Sequence, residues 1–335
     1  MKKINLALQG GGAHGAIAWG VIDRLMEEGN LDIEGIVGTS AGAMNAAVTA
    51  YGLTVGGHEG ARQALHKFWR AISDASRSGP LQPSLWEKMF RPGSMDMSPG
   101  FMFYDAVARI FSPYQLNPMN FSPLRDVLTS VIDFDKIHQG QRVKLFISAS
   151  NVMTGRLRIF DRTHVTVDAV LASACLPFIF QAVEVNGEFF WDGGYMGNPP
   201  LYPIIYNCTS RDILIIQLNP INIPEVPKTA QAILDRINTL SFNSSLMREM
   251  RAIHFVTRLI DGGFDDGGRL KRMLIHTIDA EDVVCGLGVS SKLNADWDFL
   301  MYLHEVGRER AEQFLHDHYD KIGVDSSTSI EQKFM

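Results

Sequence analysis

Residues 36–48 read IVGTSAGAMNAAV, with Ser40 at the centre. The apolar, β-branched residues before Gly38 predict a strand, and the alanine-rich residues after Gly42 predict a helix. A serine at a sharp strand-to-helix turn exposes its hydroxyl beside the helix N-terminus, and flanking glycines let neighbouring backbone pass. We therefore predict that Ser40 is a nucleophile on an elbow bounded by Gly38 and Gly42.

The G-x-S-x-G pattern is weak support by itself, because it arises by chance in chains with this much glycine and serine. The alternative is a glycine-rich turn in which Ser40 only caps the following helix. Other motifs must decide between these two interpretations.

A second glycine-rich turn, GGGAHG at 10–15, follows the first predicted strand, Ile4–Leu8. With the next strand it forms a βαβ unit, whose reactive groups collect beyond the carboxyl ends of parallel strands. Backbone N–H groups near Gly11 and Gly12 would then point at a developing oxyanion. GGGAHG also matches G-x-G-x-x-G, so a dinucleotide site is the alternative. That site needs an acidic residue after the second strand, where residues 38–40 are Gly-Thr-Ser.

A serine hydroxyl needs a base to take its proton. The usual base is a histidine, and His276, which ends the last predicted strand, would suit a triad. A carboxylate can replace the histidine if it reaches the serine directly. Of three Asp-Gly-Gly triplets, those at Asp261 and Asp266 are explained by a helix end and a polar loop. Asp192 follows an aromatic strand and precedes a stiff Asn-Pro-Pro, which makes it the candidate base; a tight turn that Asp192 closes with its own backbone is the alternative.

Composition describes a folded globular protein of 335 residues, 46% hydrophobic and 20% charged. The formal charge of −6 and the lack of a Lys/Arg run or a zinc-ligand cluster argue against nucleic acid as a partner and against a metal site. Three scattered cysteines fit a reducing compartment. The N-terminus is unlike a signal peptide and no apolar run is long enough to span a membrane, so we expect a cytoplasmic protein.

No internal repeat or clean linker divides the chain. We expect a catalytic domain over residues 4–218 and an extension over 219–322 packed on the same domain. Residues 80–123 hold seven prolines and many Phe and Met, which predicts short helices inserted as a cap. An adaptable Met/Phe surface suits an acyl chain, although an ordinary packed cap fits as well. The tail over 323–335, with its Ser/Thr run, is expected to be disordered.

Four motifs in one order, GGGAHG (10–15), GTSAG (38–42), ASACLPFIFQA (172–182) and DGGYMGNPP (192–200), resemble the patatin-like phospholipases. The likeness is close to the bacterial members and covers about residues 4–218. It implies an α/β protein with a three-layer α/β/α patatin-like fold, a mainly parallel central sheet and a helical cap.

The resemblance also implies a dyad of Ser40 and Asp192 and an oxyanion hole from Gly10, Gly11 and Gly12. Family members hydrolyse acyl esters of phospholipids, lysophospholipids or other lipids without a metal or other cofactor in the chemistry. A lipid substrate further implies transient contact with a membrane surface. Whether the chain forms a homodimer is left open.

One departure affects the predicted oxyanion loop, where the family usually has Arg or Lys and this chain has His14. A neutral imidazole would stabilise the oxyanion less, so turnover is expected to be modest or pH-sensitive. Gln181 replaces a common proline and is expected to affect only the local turn. Four functions stay open as alternatives: an acyltransferase using the same serine, a Ser-Asp-His esterase, a non-catalytic binding module and a dinucleotide oxidoreductase.

Overall fold

The computed structural model describes residues 1–77, 79, 81–91, 93–265 and 267–335. Pro80 and Pro92, both in the predicted cap, and Asp266 of one Asp-Gly-Gly triplet lie outside the described residues.

Within these described ranges, eight strands form one mixed sheet in the order β5-β6-β3-β2-β1-β7-β8, with β4 paired to β3. The pairs among β3, β2, β1, β7 and β8 are parallel, whereas β4, β5 and β6 pair antiparallel. The sheet is therefore mainly parallel, as predicted. The strands are β1 (Lys2–Leu8), β2 (Leu31–Gly38), β3 (Lys144–Asn151), β4 (Leu157–Asp161), β5 (Val183–Val185), β6 (Glu188–Asp192), β7 (Asp212–Gln217) and β8 (Leu274–Asp279).

Helices connect and cover these strands. The predicted helix after Ser40 begins at Ala41 and continues across a kink at Gly56 and Gly57. The helices are α1 (Gly15–Glu28), α2 (Ala41–Ser76), α3 (Leu85–Phe90), α4 (Pro99–Ala108), α5 (Pro113–Leu116), α6 (Pro123–Val131), α7 (Phe134–Gln139), α8 (Val167–Ser173), α9 (Tyr202–Asn207), α10 (Ala230–Asp261), α11 (Glu281–Val284), α12 (Trp297–His318) and α13 (Ile330–Phe334).

Successive side chains of a strand point to opposite faces of the sheet, so each buried strand contributes to a core on both faces. In β1, Leu6 and Leu8 belong to a core that α1, α2 and α12 complete. Ala7 between them belongs to a second core, completed by α9, α10 and α13. The structure thus confirms a three-layer α/β/α arrangement.

Strand register places three sequence-distant segments at one level of the sheet. Gly38 of β2 is paired with both Leu8 of β1 and Ile147 of β3. Two residues further along β3, Ala149 is paired with Asp192 of the antiparallel β6. The residues two positions beyond Leu8 and Gly38 are Gly10 and Ser40, so the registers bring Gly10, Ser40 and Asp192 to the same edge.

The tail is ordered, which corrects the expectation of disorder for 323–335. The Thr328 N–H donates to the Ile275 carbonyl of β8 at 3.1 Å, and the Ser326 hydroxyl accepts the Ile275 N–H at 3.0 Å. Phe334 in α13 is fully buried in the second core. The Ser/Thr run therefore supplies hydrogen-bonding partners for an edge strand.

The segment over 81–123 consists of short helices and turns, and α4 and α5 each begin with a proline. Its surface is apolar and open to solvent; large exposed side chains include Met89, Phe103, Ile110, Met119 and Phe121. Among the described residues, no helix combines the length and the hydropathy needed to cross a bilayer.

Candidate active site

Ser40 has a backbone conformation that few residues other than glycine adopt, with φ 57° and ψ −123°. It lies directly before α2, and its N–H donates to the Ser173 hydroxyl at 2.9 Å. A methyl group at Gly38 would overlap the Gly42 carbonyl, and one at Gly42 would overlap the Leu8 carbonyl. The turn therefore needs glycine at both positions, and it leaves the half-buried Ser40 side chain at the carboxyl edge of the sheet.

Asp192 is fully buried and faces this serine. Its Oδ1 accepts the Gly194 N–H at 2.7 Å, whereas no partner within conventional hydrogen-bond distance is found for Oδ2 among the described residues. Burial raises the pKa of Asp192 to about 7, although the Gly194 N–H and the Ser40 hydroxyl oppose the shift. The serine hydroxyl is thus near enough to affect the carboxyl, but no conventional hydrogen bond joins the two side chains, as is common before substrate binds.

The loop after Asp192 is fixed to the elbow by polar contacts. The Thr39 hydroxyl donates to the Gly197 carbonyl at 2.8 Å, and the Ser150 hydroxyl donates to the Asp192 carbonyl at 2.8 Å. A side chain at Gly193 would overlap the Ser148 carbonyl. These contacts hold the carboxyl on a rigid strand end, which a group in proton transfer requires.

The GGGAHG loop packs against the serine so closely that a methyl group at Gly10 would lie 2.6 Å from the Ser40 Cβ. The Gly10 N–H donates to the Asn198 Oδ1 at 2.7 Å, so this amide is not free to face an oxyanion. The Gly11 and Gly12 amides are the remaining candidates from the predicted set. The sequence interpretation did not identify Asn198, although its place in the Asn-Pro-Pro after Asp192 was a signal.

His14 is buried away from water and is held by the C-terminal part of the chain. Its Nε2 lies 2.7 Å from the Ser291 hydroxyl, and that hydroxyl donates to the Gly288 carbonyl. Nε2 must therefore carry the proton and donate. Burial, and next the positive charge of Lys292, lower the pKa of His14 to about 3. The imidazole is neutral near pH 7 and supplies no cation to the loop.

His276 does not have the contacts of a catalytic base. It lies within β8 rather than at its end, and it is fully buried. Its Nε2 is 3.0 Å from the Asp212 Oδ1, and its Nδ1 is 2.9 Å from the Ser327 hydroxyl. Both ring nitrogens are used to connect β7, β8 and the tail.

The Asp261 triplet has the structural explanation expected from the sequence. α10 ends at Asp261, Gly262 is the C-cap, and the exposed carboxylate pairs with Arg272 at 2.9 Å. Within the described ranges, no group of three or more His, Cys, Asp or Glu side chains is arranged to hold a metal ion.

A cavity of about 240 Å³ lies beside the Asp192 strand. Its wall includes Cys175, whose carbonyl accepts the Asp192 N–H at 2.8 Å. The lining combines apolar side chains with charged ones, namely Leu124, Leu171, Ala174, Phe180 and Val183 with Arg125, Asp168 and Glu184. The site therefore combines a half-buried serine, a buried carboxyl and backbone amides with an adjoining cavity of mixed polar and apolar lining.

Comparison with known families gives one match over most of the chain. The model of the patatin-like phospholipase family matches residues 6–205, which includes both glycine-rich turns and the Asp192 loop.

Individual relatives are distant. The chain is 24% identical over 225 residues to Lysophospholipase NTE1 of Cryptococcus neoformans var. neoformans serotype D; the match covers 66% of this chain but only 11% of that protein. Among solved structures, VipD from Legionella pneumophila aligns with 14% identity and a TM-score of 0.48, covering 100% of this chain and 73% of VipD. The ExoU–SpcU complex of Pseudomonas aeruginosa aligns with 20% identity and a TM-score of 0.34, covering 74% of this chain and 52% of that one.

Proposed function

Because the chain belongs to the patatin-like phospholipase family, we propose that it is a serine acyl-ester hydrolase of the phospholipase A or lysophospholipase type, acting on lipids through a dyad of Ser40 and Asp192. The observation that carries the proposal is the buried Asp192 carboxyl facing Ser40, together with a pKa of about 7. A base with a pKa near the working pH is well matched to proton transfer.

In the first step, Asp192 accepts the proton of the Ser40 hydroxyl as the oxygen attacks the ester carbonyl carbon. The ester C–O bond breaks, Asp192 gives the proton to the leaving alcohol, and the acyl group stays on Ser40. In the second step, Asp192 accepts a proton from the water that attacks the acyl-enzyme. The bond between the acyl group and Ser40 then breaks, the fatty acid leaves, and Asp192 returns the proton to the Ser40 oxygen.

The tetrahedral oxyanion would be stabilised by the Gly11 and Gly12 amides and by the N-terminus of α2 behind Ser40. Gly12 has a φ of 60°, a conformation that residues other than glycine rarely adopt, so this turn of the loop depends on glycine. The Gly10 amide would help indirectly, since its bond to Asn198 holds the loop against Ser40.

Two features support a lipid as the substrate. The wall of the cavity beside Cys175 includes apolar side chains, such as Leu171 and Phe180, that an acyl chain could contact. The segment over 81–123 exposes large apolar side chains, which would favour transient contact with a membrane surface. Peripheral attachment to a membrane therefore belongs to the proposal.

The test measures fatty-acid release from a panel of phospholipids, lysophospholipids and monoacylglycerols. We expect hydrolysis by the wild type and a loss of several orders of magnitude in Ser40→Ala and in Asp192→Asn, with no further loss in the double variant. Hydrolysis that survives in Ser40→Ala would contradict the assignment. Adding alcohol or thiol acceptors separates the hydrolase from an acyltransferase, because a transferase would form the acylated acceptor in place of free fatty acid.

A further inference from the structure

A short segment outside the family match completes the glycine-rich loop. Residues 288–294 contain a 3-10 helix, Val289–Leu293, that packs against the loop. The Lys292 carbonyl lies where a side chain at Gly12 would be, and the Ser291 hydroxyl accepts from His14. The Lys292 side chain is therefore carried to the rim of the proposed oxyanion site.

A contact with Asn219, which follows strand β7, locates the Lys292 ammonium. Its Nζ lies 3.4 Å from the Asn219 Oδ1, and the Asn219 Nδ2 donates to the Gly10 carbonyl at 2.7 Å. The Asp235 carboxylate is 3.9 Å away, beyond hydrogen-bond distance. A quarter of the Lys292 side chain is exposed, so the ammonium keeps donor capacity for a ligand.

The positive charge reaches the loop, since Lys292 contributes to the lowered pKa of His14. Burial lowers the pKa of Lys292 itself, and Asp235 opposes that change. His14 is neutral, although the family usually has Arg or Lys at this position. Lys292 therefore supplies a positive charge at this end of the site.

The order of the strands gives the site a direction. Asp192, Ser40, Gly10 and Asn219 follow β6, β2, β1 and β7 in that spatial order. Neighbouring strands lie about 4.8 Å apart, so Asn219 is about 10 Å from Ser40 across the sheet. The cavity beside Cys175 adjoins the Asp192 end, and Lys292 lies at the opposite end. An acyl ester bound at Ser40 thus has this cavity, with its apolar side chains, on one side and a cation on the other.

We propose that Lys292 binds the phosphate of a phospholipid or lysophospholipid substrate and makes the enzyme prefer phosphate-bearing acyl esters to neutral ones. The inference rests on the proposed hydrolase function. A lysine ammonium is a common phosphate ligand. The glycerol backbone that separates an ester from its phosphate suits a cation held at Asn219, about 10 Å from Ser40. The Asn219 amide would orient the ammonium.

The kinetic test compares lysophosphatidylcholine with a monoacylglycerol of the same chain length in identical mixed micelles. In Lys292→Met, the ratio of kcat/KM for the phosphate-bearing substrate to that for the neutral substrate is expected to fall roughly 10- to 100-fold. Lys292→Arg should restore most of the ratio, and Asp235→Asn should raise it by removing a competing negative charge. An equal loss on both substrates, or an unchanged ratio, would overturn the proposal.

A binding test separates failure of this inference from failure of the proposed function. Calorimetry on Ser40→Ala measures binding of lysophosphatidylcholine below its micelle concentration, of glycerol 3-phosphate and of inorganic phosphate, each with and without Lys292→Met. We expect the lysophospholipid to bind tighter than the two small phosphates, and all three to weaken in Lys292→Met. Inorganic phosphate binding as tightly as the lysophospholipid would indicate a free-anion site and contradict a lipid phosphate. Equal affinity for the lysophospholipid with and without Lys292→Met would also contradict the proposal, and this result does not depend on the turnover assay.

Discussion

Gly10 and Asn198 are 188 residues apart in the chain, yet the Gly10 N–H donates to the Asn198 side-chain oxygen at 2.7 Å. The same asparagine accepts from Gln9 through its carbonyl, and its N–H donates to the Ser245 hydroxyl of α10. One fully buried side chain therefore joins the glycine-rich loop to the loop that carries Asp192. The relative position of the candidate oxyanion donors and the candidate base depends on this contact.

Replacing Asn198 with Ala is expected to lower stability and turnover together. The Gly10 N–H would be left buried without a partner, which costs about 1–3 kcal/mol. Urea denaturation measures the first effect and kcat on the preferred lipid the second. Unchanged kcat in a folded Asn198→Ala protein would show that the loops are positioned without this bond.

The pH profile should report the raised pKa of Asp192. The base acts only when ionised, so kcat/KM is expected to rise with pH and to level off above about 7. The measurement is kcat/KM on a soluble ester between pH 5 and 9. A profile that is flat through this range would mean that the carboxyl titrates near its ordinary value.

Asp192→Asn should stabilise the protein in a pH-dependent way while abolishing activity. Folding raises the pKa of this carboxyl from 3.8 to about 7, so the folded state is disfavoured as pH rises through that interval. Above pH 7 the asparagine variant is expected to be more stable by about 2–4 kcal/mol. The gain should shrink toward pH 5 in urea titrations. Equal stability of the two proteins at pH 8 would contradict a buried, disfavoured carboxylate.

Gly42→Ala tests the close approach at the elbow, with Gly56→Ala as its matched control in the same helix. A methyl group at Gly42 would overlap the Leu8 carbonyl, whereas one at Gly56 would meet no atom within 4 Å. Gly42→Ala is therefore expected to cost about 3 kcal/mol or more, the cost of overpacking a tight contact, and Gly56→Ala much less. Thermal denaturation compares the two, and similar melting temperatures would argue against the contact.

His276→Gln distinguishes the dyad from a histidine-dependent triad. The buried ring bonds Asp212 and Ser327, so its loss should lower the melting temperature. The reaction rate per folded molecule is expected to stay within about a few-fold of wild type, because the change is far smaller than loss of a base would cause. A loss of several orders of magnitude in folded protein would restore the triad alternative.

Patterns within short stretches of sequence predict the elbow at Ser40 and the position of Asp192. Strand and helix periodicity on either side of Ser40 located the elbow, and the stiff segment after Asp192 distinguished it from the Asp261 triplet. The parallel sheet followed from the βαβ unit. These features depend on residues that are near in the sequence.

Contacts between distant segments could not be predicted in this way. The bond from Gly10 to Asn198 and the contact from His14 to Ser291 depend on how segments 188 and 277 residues away pack against the glycine-rich loop. The Ser/Thr composition of the tail predicts disorder, but the Ser326 hydroxyl bonds the edge strand β8 and Phe334 is buried in the second core. The composition of a segment does not determine which part of the fold it packs against.

The most direct test of the central claim is the rate at which a fluorophosphonate probe modifies Ser40, with the site mapped by mass spectrometry. Wild type and His276→Gln should be modified at Ser40 at comparable rates, Asp192→Asn should react slower by several orders of magnitude, and Ser40→Ala should not react. Rapid modification of Ser40 in Asp192→Asn, or modification at a different serine in the wild type, would contradict a Ser40–Asp192 dyad.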